Sequence, residues 1–202
     1  MNDKELGRLA LDHLQQVVAI DSASDETSTT VPTTPGQTEL ADYLAGFFAG
    51  HGAAVERDGF ANIIATFPGV GRGADQAPVA FMVHLDTAPG TVAVPALHVV
   101  EGWQGDRVPY PNNELLHVDI ANYPALDMFA GHALVHGPGD APFGLDDKLG
   151  LTHMMTLAAL LAQDPTAERP PVLLIGRPDE EVGREAAIIG LASFESSDRR
   201  AT

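Results

Sequence analysis

An α/β fold, with helices flanking a mixed, largely parallel sheet, follows from three features of this sequence. Val79–Val83 and Pro171–Gly176 are unbroken apolar runs of strand length, as expected of strands buried on both faces. Segments whose apolar residues recur every three to four positions alternate with them, as amphipathic helices do. No internal repeat and no linker divides the 202 residues, so residues 1–202 read as one unit.

The first element is a helix from about Lys4 to Ile20, where Leu6, Leu9, Leu11, Leu14, Val17 and Val18 keep near-helical spacing. Asp21–Gly36 is polar, rich in Ser and Thr, and carries Pro32 and Pro35, which makes it a loop. A second helix follows, with Thr38 as its expected cap and Leu40, Tyr43, Leu44, Phe47 and Phe48 on its inner face. Gly50-His51-Gly52 ends it, because glycine tolerates the left-handed terminal conformation.

Val55–Arg57 and Asn62–Phe67 are expected strands joined through Gly59. Gly69-Val70-Gly71-Arg72-Gly73 lacks the residues that would make it a phosphate cradle and reads as a loop. From Gly90 to about Gly131 the pattern is irregular and interrupted by prolines, and a connection that long usually has a function. Ala133–His136 is a short expected strand, Lys148–Leu161 a helix, and Pro171–Gly176 the final buried strand.

Charge and composition narrow the function. With 28 acidic against 11 basic residues the formal net charge is −17. That argues against nucleic acid and anionic membrane surfaces as partners, since both bind through Lys and Arg. The absence of cysteine rules out disulfides, thiolate zinc sites and a thiol nucleophile. The charged start, Met-Asn-Asp-Lys-Glu, is unlike a signal peptide, and no apolar run approaches the roughly 18 residues of a membrane span. A cytoplasmic location is expected.

Three acidic motifs sit where apolar strands end or a helix begins. They are His84-Leu85-Asp86, Gly144-Leu145-Asp146-Asp147-Lys148 and Pro178-Asp179-Glu180-Glu181-Val182-Gly183. In an open α/β sheet, ligands gather at the carboxyl ends of strands. His84 follows its strand directly, and Asp86 is placed to accept the other ring N–H and fix the tautomer. Asp146 could bridge two cations; equally, Asp146 or Asp147 could simply cap the helix. Of two adjacent glutamates, one can bind metal while the other moves a proton, although an exposed acidic turn is the plainer alternative. One imidazole and several carboxylates, without thiolate, suit divalent cations that activate water.

In this order and spacing the motifs resemble those of the M20 di-zinc peptidase family, and Thr30-Val31-Pro32-Thr33-Thr34-Pro35-Gly36-Gln37 resembles its segment before the second helix. Within the family the likeness is to the tripeptide-aminopeptidase branch. It implies that His84, Asp146 and Glu181 bind zinc, with Asp146 shared between two ions, that Asp86 orients His84, and that Glu180 is the general base. The implied substrate is a short peptide with a free amino terminus. Arg177 stands where the family usually has threonine, and Leu145 and Leu149 are bulkier than the residues usual there. The family's remaining metal ligands, and its separate lid and dimerisation domain, would lie beyond Thr202. The expectation is therefore the N-terminal portion of a catalytic domain, without the family's homodimer. The alternatives are a non-catalytic remnant with weak metal or peptide binding, or another dipeptidase or amidohydrolase of the same family.

Overall fold

A computed structural model describes residues 1–184. Its elements run α1 (Asp3–Val18), α2 (Pro35–Gly50), β1 (Ala54–Arg57), β2 (Ile63–Phe67), β3 (Val79–His84), β4 (His98–Val100), β5 (Val108–Tyr110), β6 (Asn113–Val118), β7 (Leu134–His136), α3 (Leu145–Gln163) and β8 (Val172–Arg177). The main sheet has the order β1-β2-β8-β3. It is mixed, as expected, but its parallel part among the described strands is the single pair β3–β8; β1–β2 and β2–β8 are antiparallel.

Local chemistry sets the helix ends. Asn2 caps α1, its side chain accepting from Glu5 N–H while the Glu5 carboxylate accepts from Asn2 N–H, a reciprocal capping box. The α2 helix begins at Pro35 with Thr34 in the capping position, ahead of the expected Thr38. Proline is pre-set for the first helical turn and lacks the N–H that would go unpaired there. At the far end of α1, the buried Lys148 ammonium donates to the carbonyls of Val17 and Ile20, each at 3.0 Å. A cation at a helix C-terminus complements the dipole, and here it ties α1 to the start of α3.

The core lies between one face of the sheet and the helices. Leu14 and Val17 of α1, Leu40 and Leu44 of α2, and Leu151 and Met155 of α3 close over Ile63, Ala65, Phe67 and Leu174. Each fully buried Val, Leu, Ile, Phe or Met side chain among them stabilises the fold by about 1.5–3 kcal/mol. Strand alternation sends Ile64, Leu173 and Ile175 to the opposite face, where they form a separate cluster. No helix among the described residues is long and apolar enough to cross a membrane.

Two expectations fail. The irregular stretch after Gly90 contains two small antiparallel ladders, β4–β7 and β5–β6; their three- to six-residue strands and prolines conceal the alternation by which strands are recognised. Among the described strands, the apolar β3 is an edge strand rather than a doubly covered one. Val79, Phe81 and Met82 are 43%, 46% and 50% exposed, whereas β8, with a neighbour on each side, is buried along nearly its whole length. An apolar edge with unpaired main-chain groups invites association. Met82→Lys should therefore reduce light scattering on heating while changing stability by no more than about 0.5 kcal/mol. Unchanged aggregation in a normally folded variant would clear this edge of the role.

Candidate metal centre

The parallel pair β3–β8 delivers the centre. His84 ends β3 directly opposite Arg177, which ends β8, so both motifs emerge at the same carboxyl edge. His84 is buried at 8% exposure. Its Nδ1 lies 2.9 Å from the main-chain carbonyl of Asp86, to which it can only donate. That leaves Nε2 facing outward, 3.1 Å from Oδ1 of Asp146.

Asp86 is completely buried, and its contact with the ring differs in detail from the expected one. The hydrogen bond from the imidazole goes to its main chain, and the carboxylate stands 3.4 Å from Nδ1 as a neighbouring charge. The carboxylate's own hydrogen bonds, both 3.0 Å, come from the N–H groups of Glu180 and Glu181. One buried side chain thus supports the imidazole on one side and fixes the two-glutamate turn on the other.

A second buried carboxylate locks that turn from behind. Asp179, with φ +58 and no exposure, accepts from Thr33 N–H, from the Thr33 hydroxyl and from the Gln37 amide. In return, the Gln37 carbonyl oxygen accepts from Asp179 N–H at 3.0 Å. The start of α2 is thereby bolted to the turn that carries Glu180 and Glu181.

The third motif divides its two aspartates. Gly144 has φ +66, and a Cβ there would collide with the Thr87 side chain, so glycine is required on both counts. Asp147 accepts from Gly150 N–H at 3.0 Å and is the helix cap. Asp146, with non-helical dihedrals at the start of α3 and a side chain 85% exposed, is left free to face His84.

Ligand atoms of His84, Asp146 and Glu181 lie within 4.8 Å of one another. One imidazole and two carboxylates fit a zinc-like divalent cation. Three residues suffice for one ion with an open position, while a closed pair of ions needs further donors. The electrostatics agree. Burial acts most strongly on His84 and lowers its pKa, but the hydrogen bonds and charge of Asp86, with Asp146, outweigh it and raise the pKa to about 9. Burial and the neighbouring carboxylates Asp146, Asp86 and Glu180 push Glu181 up against the opposing pull of His84. Burial would also raise Asp86, yet His84 and the two main-chain N–H groups hold it below the usual carboxylate range. Glu180, the remaining glutamate, has Oε2 4.0 Å from His84 Nε2 and Oε1 3.6 Å from Arg177.

All five residues singled out in the sequence therefore converge on one edge. Supporting roles went unassigned for Thr33, Gln37, Asp179 and Lys148. The one available signal was polar residue types inside otherwise apolar or turn segments, where burial obliges them to find partners.

Comparison with known proteins places the chain. No family model matches the sequence. Peptidase T of Geobacillus sp. (strain WCH70) is 32% identical over 190 residues, 91% of this chain and 45% of that protein. Peptidase T of Bacillus thuringiensis subsp. konkukian (strain 97-27) is 33% identical over 193 residues, 93% of this chain and 46% of that protein. Among solved structures, the aminopeptidase PepT of Bacillus cereus ATCC 10987 shares the fold, with a TM-score of 0.54 and 18% identity over 84% of this chain and 35% of that one. This chain spans a little under half the length of the curated relatives it matches. Over nine-tenths of its own length, it is a homologue of Peptidase T.

Proposed function

We propose that this chain carries the metal-binding edge of a zinc-dependent aminopeptidase that removes the first residue of short peptides, tripeptides above all. The observation that carries the reading is the convergence of His84, Asp146 and Glu181 within 4.8 Å, with a second glutamate, Glu180, beside them. Those three residues would hold the cation, and Asp86 would keep His84 and both glutamates aligned. A bound zinc ion supplies Lewis acidity, polarising the peptide carbonyl and making water easier to deprotonate. Glu180 is the proton carrier. Its carboxylate is 42% exposed, so it can accept a proton from the attacking water and release it to the departing amine nitrogen. Asp146 and Glu181 also make the surroundings favourable for the ammonium of a free amino terminus.

A second reading follows from the count of donors. With three ligand residues among those described, the chain would hold a single cation and turn nothing over. The two readings separate in one experiment: hydrolysis of unblocked trialanine by the purified chain with added zinc, beside Glu180→Gln. The first reading expects turnover that falls about 10²–10⁴-fold in the variant with zinc content unchanged. Equal turnover in both proteins would remove Glu180 from the chemistry. Zinc bound at one equivalent without turnover in either would favour the second reading.

A further inference from the structure

Arg177, the last residue of β8, is paired with His84 across the parallel strands. Side chains of paired residues leave the sheet on the same face, so a guanidinium stands beside the imidazole. Its acidic neighbour is Glu180, at 3.6 Å, which is longer than a hydrogen bond. Among the described residues the guanidinium donates no hydrogen bond, and the side chain is 28% exposed. Two other cations in or beside the motifs are committed to main-chain carbonyls: Lys148 to Val17 and Ile20, and Arg184 to Ser28. Glu180 stands beside Arg177, Asp146 and Glu180 lie near its paired neighbour His84, and the chain carries a net −17. Such surroundings repel an anion, except where a cation with uncommitted donors faces it. A guanidinium fork matches a carboxylate in two-point geometry.

We propose that Arg177 forms an anion subsite beside the metal centre that takes the free carboxylate of a short peptide, exchanging its contact with Glu180 for the ligand. This rests on the peptidase reading above and deepens it. In an extended peptide, the carboxylate of a third residue lies two residues, about 7 Å, beyond the first peptide carbonyl. Glu180 stands between the two ends of the proposed site, 4.0 Å from the imidazole and 3.6 Å from the guanidinium. A first carbonyl near His84 therefore puts the terminus of a tripeptide within reach of Arg177. A longer peptide offers a neutral amide at that point, so the subsite selects for length.

The test is calorimetric titration of the zinc-supplemented chain with trialanine, trialanine amide and N-acetyl-trialanine, repeated with Arg177→Gln and Arg177→Lys. The expected result is that the wild type binds trialanine about tenfold more tightly than its amide. Arg177→Gln should abolish that difference and Arg177→Lys should keep part of it. Because acid and amide are compared within each protein, a general loss of fold or zinc does not imitate the effect. Equal binding of acid and amide by the wild type, or a preference that survives Arg177→Gln, would overturn the subsite and leave the peptidase reading standing. Failure of all three peptides to bind would overturn both. A carboxylate preference that depends on Arg177 but is equally strong for N-acetyl-trialanine would uphold the subsite and count against recognition of a free amino terminus.

Discussion

Replacing Asp86 with asparagine should weaken zinc binding about ten- to a hundredfold and lower stability by about 1–3 kcal/mol. Both effects come from the same two oxygens. In the native site each carboxylate oxygen accepts a main-chain N–H, from Glu180 and from Glu181, and the same group presents negative charge to Nδ1 of His84. Asparagine keeps the shape but offers one acceptor. Its NH₂ group would face an N–H donor, leaving a buried donor unpaired. The turn carrying Glu180 and Glu181 would then lose one of its two anchors on residue 86, just after β3, and the imidazole would lose the charge that makes it a better ligand. Competition for zinc against a chromophoric chelator, together with a thermal melt, would measure both effects. Native zinc affinity in a destabilised Asp86→Asn would confine Asp86 to the fold; native stability with lost affinity would confine it to the metal.

How much of this could be seen in the sequence depends on the range over which each feature is determined. The helices and β8 were legible because their patterns are local: a 3.6-residue period, or a run of apolar residues bounded by proline and glycine. The three acidic motifs were legible for the same reason, each being a short string whose chemistry is carried by adjacent residues. Features set by distant partners were not. β3 and β8 look alike as sequences, yet among the described strands β8 is flanked by β2 and β3 while β3 lies at the edge, and hydropathy cannot tell a strand how many neighbours it has. Closeness in sequence points Asp86 only toward the imidazole ring. Its stronger hydrogen bonds reach 94 and 95 residues away. The start of α2 is a different kind of miss: Thr38 drew attention as a capping residue, although Pro35 already carried the stronger signal for a first helical turn.

Asp179→Ala should be the most damaging substitution for stability, at about 3–5 kcal/mol, because several buried donors to one carboxylate are left unpaired at once. The carboxylate is wholly inaccessible and accepts from three donors, Thr33 N–H, the Thr33 hydroxyl and the Gln37 amide. Alanine would strand all three without water to replace it. It would also have to adopt φ +58, a left-handed conformation that aspartate tolerates better than alanine does. Asp179→Gly separates the two costs. It removes the strain of a Cβ at positive φ but keeps the donors stranded, so it should recover at most about 1 kcal/mol relative to alanine. Asp179→Asn retains one acceptor and should fall between alanine and the native protein. Chemical denaturation of the three variants gives the order Asn, Gly, Ala from most to least stable. If glycine instead restored native stability, backbone conformation would be the whole reason for aspartate at this position. If all three variants were nearly native, the connection between α2 and the two-glutamate turn would be dispensable. The order also bears on the metal centre, because the same residue holds the segment that ends in Glu180 and Glu181. A variant that folds but has lost Asp179 should bind zinc more weakly although it retains His84, Asp146 and Glu181 unchanged.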